Sequence, residues 1–250
     1  MLELNHDPIV VAIIIAVLGF LIGLTKGGFN ALGSLLTPVL SLVLPVSLAV
    51  GMLLPMLIAG DVIAVYAYRG QWDSRLVWRM LPAGTVGVVI GAYLLVQLPA
   101  NTLRVILGAF VLVIVAYKLA GDRVAQLAYR PRRWHSPVIG AVTGLTSGMF
   151  NSGGPAFNSY LLLLRLPSQT FVATSVLFFA LINLIKLPGF LITGVLNVPL
   201  LFSLWWVYLF IPLGLWAARW LIGRVNQRTF EWLIVALLIV SSLLLFAQSR

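Results

Sequence analysis

The sequence predicts an all-α, polytopic membrane protein made of two inverted five-segment repeats, about 8–10 membrane segments in all. Three observations carry this expectation. The chain of 250 residues is 61% hydrophobic and 9% charged, with mean hydropathy +1.08, whereas a soluble domain averages about 25% charged residues. Apolar runs of helix length recur along it with short polar breaks, the pattern of bilayer-spanning segments. Finally, residues 19–34 laid on residues 140–155 give eight identities in sixteen positions, among them Gly-Leu-Thr, Phe-Asn and a closing Gly. Each copy breaks an apolar run with glycines and an asparagine, so each repeat opens on a glycine-broken helical hairpin.

Pro8 sits where a helix can begin, and residues 9–24 form the first apolar run. After the break at 25–33, residues 34–44 fall short of the roughly 20 residues a spanning helix needs. Pro45 starts a full-length span at 46–68, with Asp61 inside it. A polar loop at 69–75 leads to a second span at 76–98. There Gly87 and Gly91 have the spacing that lets helix backbones approach closely. Residues 103–119 close the first half. The chain thus divides into a first repeat at 1–120, a basic cytoplasmic linker at 121–136 carrying Arg123, Arg130, Arg132 and Arg133, and a second repeat at 137–250. In the second repeat 137–149 is a run, 151–155 the break and 156–164 a short run. A span at 171–196 is interrupted at Pro188-Gly189, and 199–222 and 230–247 follow as single spans.

Five segments per half is an odd number, which forces the halves to be inverted. With the N-terminus outside, all but Arg104, Arg250, Lys26 and Lys186 of the 16 Lys/Arg fall on the cytoplasmic side. Fusing each break into one crossing would give parallel halves and a weaker asymmetry, so the positive-inside rule favours inversion. The bacterial inner membrane is the expected location.

Several function classes are excluded. The net charge of +10 comes from residues at the ends of apolar runs, not from one basic face, which argues against nucleic acid. There is no cysteine, and His6 and His135 lie outside the apolar runs. No metal site or cofactor is expected, and no nucleophile–base constellation points to an enzyme. The acidic start is unlike a signal peptide.

A glycine-rich break at bilayer depth must be buried in protein or line a cavity, because hydrocarbon satisfies no backbone group. Helix N-termini exposed there attract anions. The candidate substrate-binding residues are therefore Thr25, Lys26, Gly27, Gly28 and Asn30 in the first break. In the second they are Thr146, Ser147, Gly148, Asn151, Ser152, Gly153, Gly154 and Asn158. The competing reading is that these small residues only let helices cross closely. Lys26 and Lys186 are cations in apolar surroundings, where a lysine costs several kcal/mol unless paired or wet. The offset that carries Pro45 onto Pro167 carries Asp61 onto Asn183, so one half holds an acid where the other holds its amide. Two readings stand for Asp61, a proton-coupling carboxylate or a permanent ion pair with Lys26 or Lys186.

The chain resembles the TauE/SafE family of membrane transporters. The resemblance rests on Gly23-Leu-Thr-Lys-Gly-Gly-Phe-Asn, Leu54-Pro55 with Asp61-Val62, and Tyr68-Arg-Gly-Gln-Trp-Asp73. In the second half it rests on Gly144-Leu-Thr-Ser-Gly, Gly153-Gly-Pro155 and Val172-Ala-Thr-Ser175. It implies transport of a small anion such as sulfite or an organosulfonate. The expected function is secondary active transport with alternating access and proton coupling. A passive anion channel and a non-transporting assembly subunit are the alternatives. Expected partners are the anionic substrate, membrane lipid and a second copy of the chain.

Overall fold

In the computed structural model the described residues are 8–27, 29, 32–125, 132–196, 198–203, 205–221, 224 and 227–249. Gly28 and Asn30 of the first break, and residues 126–131 of the linker, lie outside them. The elements are α1 Pro8–Lys26, α2 Gly33–Ser41, α3 Val46–Ala67, α4 Ser74–Gln97 and α5 Ala100–Ala125 in the first half. The second half holds α6 His135–Phe150, α7 Gly154–Leu163, α8 Ser168–Ile192, α9 Val198–Ser203, a 3-10 turn at Trp205–Leu209, α10 Phe210–Leu221 and α11 Gln227–Gln248.

Four of these helices are long and apolar enough to cross a membrane among the described residues: α3, α4, the Ala100–Leu119 part of α5, and α8. By contrast α2 has 9 residues and α7 has 10, which at about 1.5 Å per residue leaves both far short of a bilayer core of about 30 Å. Helix starts follow from local chemistry. Pro45 and Pro167 precede α3 and α8 with nearly the same backbone, φ −54 with ψ 141 and φ −54 with ψ 143. Asp73 accepts from the Leu76 amide at 3.0 Å and so caps α4.

Five helix pairs carry most of the packing: α4 on α6, α1 on α10, α5 on α11, α4 on α8 and α3 on α8. The first two are glycine seams. A Cβ on Gly144 would lie 2.0 Å from the Gly84 carbonyl oxygen, and one on Gly87 2.2 Å from that of Ala141. In the other seam a Cβ on Gly23 would lie 2.1 Å from the Ile211 oxygen, and one on Gly214 2.0 Å from that of Phe20. Contacts advance in the same sense along both partners, Gly140 on Met80 and then Gly148 on Val88, so α4 and α6 run parallel. Gly19 on Val207 and Gly27 on Ala218 make α1 and α10 parallel too. The α3–α8 pair is antiparallel, since Gly51 lies against Val195 while Asp61 meets Asn183. Apolar side chains of α3, α5, α8 and α11, including Leu54, Leu107, Phe190 and Leu238, fill the largest core cluster.

Two expectations about spans need correction. The interruption at Pro188-Gly189 does not occur, because α8 continues through Pro188 to Ile192. A proline removes one ladder bond, and the helix carries on where the turns on either side are intact. The run at 199–222 is not one span. It divides into α9, the 3-10 turn and α10, a change of backbone winding that uniform hydropathy does not register.

Candidate functional site

Each repeat brings a helix end and a helix start to the same place. The first break lies between the end of α1 at Lys26 and the start of α2 at Gly33. In the second, Asn151 ends α6 in the left-handed region at φ 52, a conformation asparagine tolerates and helix ends use. Pro155 in the first turn then starts α7. Both breaks open onto one cavity of about 480 Å³. Thr25, Lys26, Gly33 and Ser34 line it from the first break, and Ser147, Asn151, Ser152, Gly154 and Asn158 from the second. Asn183 of α8 completes the polar part, while Leu36, Leu57, Ile114, Val176 and Phe179 form apolar wall. Tyr117, Lys118 and Leu162 also line it, and the 67% exposure of Leu162 marks the outer end.

Two polar networks, each resting on α3 and α8, anchor the two breaks. The Lys26 ammonium pairs with Asp61 Oδ1. The other carboxylate oxygen accepts from Asn183 Nδ2 at 2.7 Å. Asp61 and Asn183, matched by the internal repeat, thus touch each other. Lys186 is 1% exposed and donates to Ser147 O and Oγ, both at 3.2 Å, and to Asn151 Oδ1 at 2.6 Å. Three acceptors match the three N–H bonds of an ammonium group. Asn151 in turn donates from Nδ2 to the Val50 carbonyl at 2.9 Å, which ties the second break to α3.

The electrostatic sign of the site is positive. Lys26 and Lys118 both line the cavity, and the first turns of α2 and α7 reach it at Gly33–Ser34 and Gly154–Pro155 with the positive ends of their helix dipoles. Ser152 lines the cavity at 4% exposure, and its Oγ has no hydrogen-bond partner. A buried hydroxyl left this way costs on the order of 1–3 kcal/mol, which a guest with acceptor oxygens would relieve.

The remaining candidates sit elsewhere. A Cβ on Gly27 would meet Ala218 at 2.3 Å and one on Gly148 would meet the Val88 carbonyl oxygen at 2.6 Å, so both belong to the glycine seams. Gly153 faces Thr143 in the same manner, with 2.7 Å to its carbonyl oxygen. Thr146 turns its hydroxyl to Val142 O at 3.0 Å and Thr143 O at 3.2 Å on its own helix. Gly28 and Asn30 lie outside the described residues. The two readings offered for the repeated motif therefore divide along it: glycines four apart serve packing, and the polar residues beside the breaks line the cavity. Among the polar lining residues, sequence reasoning missed Ser34, Tyr117, Lys118, Ser159 and Ser175. Lys118 carried only a topological signal. Ser175 stands in the Val172–Ser175 motif and donates to Asn158 Oδ1 at 3.2 Å.

The family model described as "Sulfite exporter TauE/SafE" matches residues 15–245. No curated protein matches the chain significantly, and no solved structure does.

Proposed function

Because the chain belongs to the sulfite exporter TauE/SafE family of membrane transporters, we propose that it is a secondary carrier of a small anion, sulfite, an organosulfonate or a related organic anion. The observation that carries this reading is the meeting of both glycine breaks and Lys26 in one cavity of about 480 Å³. The anion sits against Lys26 and the N-termini of α2 and α7, where Ser152, Ser147 and Asn151 orient it. The bacterial inner membrane is the proposed location.

The proposed architecture is two inverted repeats, 1–120 and 137–250, joined by a cytoplasmic linker. Its support is the antiparallel course of α3 and α8, helices that begin alike and occupy matched places in the repeat. Contact between the matched residues Asp61 and Asn183 supports a two-fold axis between them. The swapped pairs α1–α10 and α4–α6 are what such an axis demands.

Proton coupling runs through Asp61. A proton on this carboxylate discharges the partner of Lys26 and leaves the full ammonium charge to the anion, so proton and anion bind with positive linkage. For Asp61→Asn the expected result is anion binding that no longer varies with pH; an unchanged pH profile of transport would reject the coupling role.

Counterflow in proteoliposomes tests the function itself. Sulfite or an organosulfonate inside the vesicles is expected to accelerate uptake of the labelled anion, as a carrier requires and a channel does not. Lys26→Ala is expected to abolish that uptake. Full uptake by this variant would remove the lysine from the mechanism, and uptake without trans-stimulation would replace the carrier with a channel.

A further inference from the structure

We propose that the chain holds a second, closed vestibule, lined by Val50, Leu53 and Leu54 of α3 and by Ser41 at the end of α2, which opens to the opposite membrane face. The inference rests on the carrier reading and deepens it by assigning the half of the pathway that is shut.

The open cavity treats the two repeats unequally. At its centre it touches the matched pair Leu57 of α3 and Phe179 of α8. From there it follows α8 outward along Val176, Ser175 and Val172. The offset relating the helices, Pro45 to Pro167, carries Leu54, Leu53 and Val50 onto those three. The α3 trio is packed away, at 0%, 1% and 0% exposure. Because α3 and α8 run antiparallel, the N-terminal half of α3 leads away from the open cavity, toward the other face. Two repeats of one fold in unequal conformations can exchange them, and the exchange exposes on one side what it buries on the other.

Ser41 gives an independent indication. The open cavity reaches Leu162 and Leu163 at the end of α7, and Ser41 ends α2 at the corresponding place. Its side chain is 0% exposed and its Oγ has no partner. An orphaned hydroxyl is unexplained in a permanently dry core. It is accounted for when the same residue faces water in another state.

The seal over this vestibule lies in the largest apolar cluster, to which Val50, Leu54 and Phe150 belong, and a few specific contacts cross it. Asn151 Nδ2 donates to the Val50 carbonyl at 2.9 Å, and Thr37 Oγ1 donates to the Phe150 carbonyl at 2.5 Å. Phe150 stacks on Phe110 with ring centroids 5.8 Å apart. All three contacts join the second break to first-repeat helices, so movement of one repeat against the other breaks them together.

The chain has no cysteine, so an introduced thiol is the sole target of a membrane-impermeant maleimide. Ser175→Cys is expected to label from the face that holds the Arg165 turn, and Leu53→Cys from the opposite face. A sulfite gradient that raises one labelling rate is expected to lower the other. Ser41→Cys, nearly isosteric, repeats the test if Leu53→Cys fails to accumulate. Vesicles that carry out counterflow while positions 53 and 41 stay unlabelled from both faces would overturn the vestibule and leave the carrier standing. Reciprocal labelling from the two faces in a protein that moves neither sulfite nor organosulfonates would keep the vestibule and sink the substrate assignment.

Discussion

At the residue scale, the pair Lys26–Asp61 does two jobs that mutation can separate. Asp61 is 2% exposed, and removing one partner of a buried ion pair typically costs about 3–5 kcal/mol because the other charge is stranded. Lys26→Ala is therefore expected to lower the thermal unfolding temperature in detergent as well as to stop transport. The double variant Lys26→Ala/Asp61→Asn carries no stranded charge. It is expected to regain most of the stability and none of the transport. Recovery of both would make the lysine a structural partner only; recovery of neither would mean that the damage lies outside the pair. Lys186 is the contrasting cation. Its three acceptors are all neutral, and all belong to Ser147 and Asn151, which line the cavity. Lys186→Met leaves the Asn151 and Ser147 oxygens unsatisfied at about 1–3 kcal/mol each. The second break then loses its anchor, and weaker anion binding is expected in calorimetry without a change in the charge of the cavity lining.

At the element scale, the glycines of the repeated motif fall into two groups with opposite tolerances. Gly144→Ala would press a methyl group into the Gly84 backbone, 2.0 Å from its oxygen. Helix seams of this kind cannot yield by a rotamer change, so a loss of roughly 1–3 kcal/mol or more is expected, read as a lower unfolding temperature. Gly154→Ala has its nearest neighbour, Asn158 Nδ2, at 3.8 Å and should fold normally while narrowing the anion site, so its readout is a raised KM. Equal destabilisation by the two would erase the distinction between seam and site. This division also measures what the sequence could convey. The duplicated Gly-Leu-Thr…Phe-Asn motif announced two matched breaks, and Asp61 was legible because an acid inside a 22-residue apolar helix has few reasons to be there. Which glycines packed and which lined a cavity was not legible, because both uses select the same small residue and differ only in what lies opposite. Lys118 was unreadable for a related reason: a lysine near the end of an apolar span satisfies the topology rule whether or not a cavity runs past it. The division of residues 198–221 into α9, a 3-10 turn and α10 left no trace in an unbroken apolar run.

At the scale of the whole molecule, the proposed inverted arrangement makes a prediction that depends on no assumption about the substrate. The C-terminal ends of α3 and α8 occupy equivalent places in the two repeats, at Ala67 and Ile192. If the repeats were related by an axis along the membrane normal, both ends would emerge on the same face. An axis in the membrane plane sends them to opposite faces. The turn after α3 carries Arg69, and Arg75 follows in the first turn of α4, while the turn after α8 at Thr193 and Gly194 carries no charge. The positive-inside rule therefore puts the first turn in the cytoplasm and the second outside. Gln71→Cys and Thr193→Cys place single thiols in or beside these exposed turns, on a chain that otherwise has none. In intact cells an impermeant maleimide is expected to modify position 193 and spare position 71. In inside-out vesicles the pattern should reverse. Modification of both from one side would put the two ends together, and with them both breaks would open the same way. The two-fold relation between α3 and α8 could not then hand the anion from one face to the other.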